Sequence, residues 1–344
     1  MPDYRLIHDE YALDEIKFMD FISNDMHKKN LMEIYMRENN PVKSLTRHFL
    51  YHYLNMTFYF ASKQNDYQFN IDTETPGNIY NILKNNLDED PLIKLKYLKI
   101  KVSVGNDIND IKELEDLLEH HHKRIPGVDM MNAYASIITT YNRMTLAGNP
   151  GYRKNSLEVY KKLLEYDLLT QEGYFLAVPF NNIVLLCYLL RETDFLRNFI
   201  DKYKDSLKEN ERETLVNFGL ACLNFCTKNY VEVLKYLNKV EFISFYQKLH
   251  QRMVYIHLFY ELNDEELFTS HLNSARRFLD IDTSMAEIRK KRFIDFIQYA
   301  GIAYKTKNLL PVNKNKVSKM IEDVERNMQI EYKDWLLEKL EELK

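Results

Sequence analysis

The stretch 226-CTKNYVEVLKYLNKV-240 reads as a polar turn followed by an amphipathic helix, with Tyr230, Val233, Leu234 and Leu237 at helical spacing. Upstream stands 191-RETDFLRNFIDKY-203, and downstream 262-LNDEELFTSHLNSA-275. Phe195, Tyr230 and Glu265, each just past its polar turn, are spaced 35 residues apart. A helix-length apolar pattern precedes each turn: FNNIVLLCYLL from Phe180, TLVNFGLACLNF from Thr214 and QRMVYIHLFYEL from Gln251. The repeating unit is therefore a helix, a tight turn and a second helix. A period of this length marks stacked hairpins, because one hairpin cannot bury its apolar face without its neighbours.

Proline extends the period upstream. Pro91 and Pro126 also lie 35 residues apart, each after polar residues and before an apolar run. Proline suits the first turn of a helix, where its missing N–H would be unpaired anyway. Gly105-Asn106-Asp107 supplies the turn between them. These signals predict eight hairpins whose first helices start near residues 5, 41, 91, 126, 172, 209, 244 and 285. The expected chain is a single array over 1–344: irregular hairpins over 1–90, a regular array over 91–328 and a capping helix over 331–344. In that last helix Trp335, Leu336, Leu340 and Leu343 form the apolar stripe, and Glu338, Lys339, Glu341 and Glu342 are expected to face water. No segment alternates at period two, so the class is all-α.

Composition agrees. Apolar residues make up 45% of the chain and charged residues 28%, enough to bury a core, while only 8 Gly and 8 Pro interrupt regular elements. A net charge of −4 gives no global pull toward nucleic acid or an anionic membrane. Cys187, Cys222 and Cys226 fall in apolar helical patterns, which suits a reducing compartment. The acidic start, MPDYRLIHDEYALDE, lacks the basic and apolar run of a signal peptide. Together these features place the protein in the cytoplasm.

This organisation resembles the tetratricopeptide-like superfamily. Ala221 stands at its small close-packing position, Tyr230 at its turn aromatic, and Val233 and Leu237 where its second helix packs; Gly301 and Tyr304 play similar parts in the last hairpin. The ending DWLLEKLEELK is similar to the C-termini of uncharacterised bacterial proteins of this type. The resemblance implies a right-handed α-solenoid whose concave groove holds a peptide, a helix or a protein. Carried over, groove positions fall at Ile183, Cys187, Leu190 and Arg191, and then at Phe218, Cys222, Phe225 and Cys226. The next hairpin gives His250, Met253, His257, Tyr260 and Glu261, and the last Gln298, Ile302 and Lys305. Such a strip suits an apolar anchor with an acidic flank, and homodimerisation through the closing helix stays open.

Chemical motifs are sparse. The sequence has no glycine-rich phosphate loop, GxSxG elbow or HExxH, so no enzyme, catalytic residue or cofactor is expected. Consecutive helical residues point about 100° apart, so His120, His121 and His122 cannot converge on one ion. His48 and His52 share a helix face but lack a third ligand, and no metal site is assigned. With 25 Tyr and 19 Phe, rings are in excess, and most are read as core between hairpins. One charge run stands out. Arg289, Lys290, Lys291 and Arg292 open a basic stretch to Lys319 with Asp295 as its only acid, a candidate patch for an acidic protein or nucleic acid in an alternative regulatory reading.

Overall fold

The computed structural model describes residues 41–67, 74–83 and 90–344, apart from positions 243, 284, 310 and 328. The hairpin expected near residue 5 lies outside them. Among the described residues the chain forms fifteen α-helices and one two-stranded ribbon, in two compact units, the first ending at Thr140 and the second running from Tyr141 to Lys344.

The first unit contains α1 (Pro41–Tyr67), α2 (Glu74–Leu83), α3 (Pro91–Val104), α4 (Ile108–His121) and most of α5 (Gly127–Leu146). Pro91 opens α3 behind the Asp90 N-cap, whose carboxylate accepts the amides of Leu92 and Ile93. The polar residues Glu74–Gly77 carry the first turn of α2. Leu50, Tyr51, Leu54, Tyr80, Ile93 and Ile100 make the core, and Tyr80 stacks on Tyr97 at 4.2 Å. Two lysines on α3 are buried with it. Lys96 pairs with Asp129, and Lys99 lies 3.9 Å from the centre of the Phe58 ring. Burial and the Lys96 charge pull the Lys99 ammonium down to about 8, against the opposing pull of Asp129.

The second unit continues with α6 (Tyr152–Glu165), α7 (Ala177–Leu190), α8 (Thr193–Tyr203), α9 (Glu209–Cys226), α10 (Tyr230–Leu237), α11 (Phe245–Leu262), α12 (Glu265–Ile281), α13 (Glu287–Lys307), α14 (Lys314–Arg326) and α15 (Lys333–Glu341). Strands Thr170–Gln171 and Tyr174–Phe175 pair antiparallel before α7. No strand was expected there, and the helix expected near 172 starts at Ala177 instead. The ribbon turns on Glu172 and Gly173, both at positive φ, 53° and 81°, the pairing that suits a two-residue hairpin loop.

Three first helices end in the same way. Arg191, Lys228 and Asn263 follow α7, α9 and α11 with φ of 59°, 59° and 56°. After each, the next amide reaches back to the helix: Glu192 to Cys187, Asn229 to Asn224 and Asp264 to Phe259. These left-handed caps satisfy carbonyls that the helix end leaves unpaired and reverse the chain within a few residues. The second helices then begin at Thr193, Tyr230 and Glu265, close to the expected register. From α6 to α13 consecutive helices pack on one another, and α7, α9 and α11 pack in sequence as neighbours.

Gly219 marks a close approach. A Cβ there would meet Ile200 Cδ1 at 3.0 Å and Val184 Cγ2 at 3.5 Å, whereas at Gly301 it would meet only Leu272 Cδ1 at 3.4 Å. Gly219→Leu is therefore expected to cost about 1–3 kcal/mol by overpacking, measured by denaturant unfolding, while Gly301→Ala should change stability far less. Equal stability of the Gly219 variant and the parent would show that the α8–α9 contact yields freely.

Candidate functional site

The 35-residue register makes a claim in three dimensions: residues far apart in sequence should share one strip along the first helices. In the second unit, Arg191 at the end of α7, and His250, His257, Tyr260 and Glu261 on α11, lie with Phe296 of α13 around one element, and Phe225 on α9 and Phe293 on α13 pack against His257 and His250 behind them. That element is the segment from Glu331 through α15. The helix expected to cap the last hairpin does pack on α13 and α14, but its aromatic side lies on the strip.

Tyr332 and Trp335 are the anchors. Tyr332 is bonded through its hydroxyl to His250 Nδ1 at 2.5 Å, and its ring lies 5.0 Å from His257. Trp335 stacks on His257 at 4.2 Å and meets Tyr260 edge-on at 5.1 Å and Phe296 at 5.9 Å. Such ring pairs contribute about 0.5–1.5 kcal/mol each beyond burial. Underneath, His257 shares a hydrogen bond with the Tyr188 hydroxyl. Its Nε2, Tyr260 Oη and Trp335 Nε1 are buried without a hydrogen-bond partner in the protein.

Charges frame the rings. Arg153 on α6 pairs with Asp334, and Arg191 with Glu338 at 3.1 Å. Lys339 is only 4% exposed, although the helical pattern assigned it to water. Its Nζ lies 2.9 Å from Glu261, 3.1 Å from Glu338 and 2.7 Å from Glu342. Burial pulls the Lys339 ammonium down, but hydrogen bonds to Glu342, Glu261 and Glu338 outweigh it and the net shift is upward. Position 339 is internal because three carboxylates compensate the charge.

These contacts overturn part of the expectation. Phe218, Phe225, Met253, His257 and Tyr260 were assigned to a face open to a partner, yet all are buried. His257 and Tyr260 lie beneath α15, Phe218 packs edge-on against Phe242, and Phe225 against Tyr188. Gln298 and Lys305 are exposed and make no ion pair or ring contact with the α15 segment. Of the expected positions, Arg191, His250, His257, Tyr260 and Glu261 contact the α15 segment, Phe225 lies behind His257, and the α13 positions stay apart from it.

The basic run does not form a single face. Lys290 is 8% exposed and donates to the Asp282 carbonyl and to Glu287. Lys291 pairs with Asp295 at 2.9 Å, Arg289 lies over Tyr246 at 4.4 Å, and the Arg292 carbonyl accepts the Glu331 amide. Lys307 donates to the Tyr260 carbonyl. Four consecutive helical residues point in four directions, so Arg289, Lys290, Lys291 and Arg292 do not share one face.

Other candidates supply little chemistry. Burial raises the Cys187 thiol to about 12; it raises Cys226 to about 11 against the pull of Arg191. Neither is a thiolate at neutral pH. His120 and His122 donate from Nδ1 to the carbonyls of Asp116 and Glu119 in their own helix, and among the described residues no cluster of His, Cys, Asp and Glu could hold a metal ion. Among those residues, no helix is long and apolar enough to cross a membrane. No family model, curated protein or solved structure matches the chain.

Proposed function

We propose that this chain is a non-enzymatic protein–protein interaction scaffold, a right-handed α-solenoid of tetratricopeptide-like hairpins working in the cytoplasm, whose strip of first helices receives a helix. One observation carries the reading: the residues that the repeat register groups together bury an amphipathic helix, Lys333–Glu341, through aromatic anchors and flanking ion pairs. Seating of an apolar helix face among first helices is a recurring recognition mode, and buried aromatic and arginine anchors dominate such interfaces. The regulatory alternative through Arg289–Arg292 has less support, since the side chains of Arg289, Lys290 and Lys291 already have partners within the chain.

The test is binding in trans. A fluorescein-labelled peptide of residues 329–344 is titrated into the full chain and into full chains whose own α15 is weakened, Trp335→Ala in one and Asp334→Lys with Glu338→Lys in another. Saturable binding of one peptide per weakened chain, and much less to the parent, is expected. Absence of binding to either folded variant would contradict a strip able to receive a helix.

A further inference from the structure

We propose that the segment Glu331–Leu340 occupies the place of a partner's acidic amphipathic helix, so that the strip selects helices carrying carboxylates at the spacing of Asp334 and Glu338 around an aromatic anchor. The proposal rests on the reading above and names the partner's chemistry.

Charge complementarity is its first support. Arginines from separate elements are gathered on one short segment: Arg153 from α6 on Asp334, and Arg191 from the left-handed turn after α7 on Glu338. Arg289 and Arg292 of α13 join Arg153 in the field around Glu331. Burial of Glu331 raises its carboxyl despite these three positive charges, so Asp334 and Glu338 are the discriminating positions. They lie four residues apart, one helical turn, on the face that flanks Trp335. The bases of the segment are used differently. Lys333 donates to the carbonyls of Glu325 and Asn327 at the end of α14, and Lys339 meets Glu261. A partner helix gains from a base opposite Glu261 too, but the arginine row reads acid.

The second support is that the seated helix is imperfectly satisfied. Tyr332, the residue entering α15, has φ 52° and ψ 28°, a left-handed conformation that is costly for a bulky side chain. Trp335 Nε1, His257 Nε2 and Tyr260 Oη, grouped at the anchor, lack hydrogen-bond partners in the protein. A helix arriving from elsewhere escapes the strained entry, and a polar side chain beside its aromatic anchor can pair with His257 Nε2 and Tyr260 Oη of the strip. The tether opposes exchange, since a covalently linked helix competes at an effective concentration in the millimolar range. Exchange therefore requires a partner of higher intrinsic affinity, and it is best measured with the cis helix weakened.

The experiment uses the full chain carrying Asp334→Lys and Glu338→Lys, with the Trp335→Ala chain as the second host. Two labelled peptides of residues 329–344 are compared: the native sequence, and one with Asp334→Asn and Glu338→Gln. The native peptide is expected to bind about tenfold more tightly, the size expected from a few partly exposed ion pairs. The margin should shrink as salt is raised and vanish when Arg153→Ala and Arg191→Ala are added to the host. Equal binding of the two peptides overturns the acidic preference while leaving the helix-receiving strip in place. A preference that survives loss of both arginines locates the peptide elsewhere and overturns the proposal. Binding of neither peptide to either folded host removes the proposal and the reading beneath it together.

Discussion

Lowering the pH from 7 to 5 is expected to destabilise the second unit by up to about 4 kcal/mol, with release of α15 as the first visible event. The cause is a pair of imidazoles under the aromatic anchors, His257 buried and His250 half-buried. Burial, and then the charge of Arg289, hold His250 down at about 4. Burial, and then Arg191 and Lys339, hold His257 well below its ordinary value. In the unfolded chain both titrate near 6.5. The neutral form is thus favoured by folding, so the stabilisation is complete above pH 6.5 and is lost as the pH falls toward the folded values. Each histidine contributes about 1.4 kcal/mol per pH unit in that window. Burial also depresses His271 on α12, which adds to the slope. Thermal melting followed at several pH values measures the loss. The Trp335 emission should move to the red over the same range, because this is the single tryptophan of the chain and its ring leaves His257 on release. A melting temperature unchanged between pH 7 and 5 would show that these imidazoles are solvated.

Trp335→Ala should remove about 3–5 kcal/mol, the usual cost of truncating a large buried ring. Trp335 is 6% exposed, and its partners His257, Tyr260 and Phe296 come from two helices, so the vacated space cannot close by a single side-chain rotation. The loss has a ceiling. Once it exceeds the docking free energy of α15, the helix leaves as a unit, and further truncation on the same face costs little. Trp335→Ala combined with Leu336→Ala should accordingly be markedly less destabilising than the sum of the single variants in urea unfolding. Strict additivity would mean that α15 stays seated regardless. Trp335→Phe keeps a ring at the site and should cost less than Trp335→Ala.

How much of this was legible in the sequence depends on the range of the interaction. Helix starts at 209, 230, 245 and 265 follow from local periodicity and turn residues. The grouping of Arg191 with His257, Tyr260 and Glu261 follows from the period, since equal hairpins bring equivalent positions together. What closes over that strip was not legible. The pattern of α15 shows which of its faces is apolar but not which surface that face meets, and the Arg191–Glu338 pair joins positions 147 residues apart. Burial of Lys339 had no local signal beyond its flanking glutamates. The division of Arg289–Arg292 into separate environments could have been found, because the angular rule that separates His120, His121 and His122 separates them equally. The ribbon at Thr170–Phe175 was signalled by Gly173 alone, too little to outweigh the helical pattern on either side.

Occupation of the strip by α15 in the free chain is the claim on which the rest depends, and amide hydrogen exchange of the full chain near neutral pH, read together with the emission of its one tryptophan, tests it most directly. The amides from Leu336 to Glu341 are expected to exchange orders of magnitude more slowly than in a free peptide of residues 329–344, with Trp335 emitting as a buried indole. Peptide-like exchange across that helix together with water-like emission would contradict the account, for the strip would then stand open.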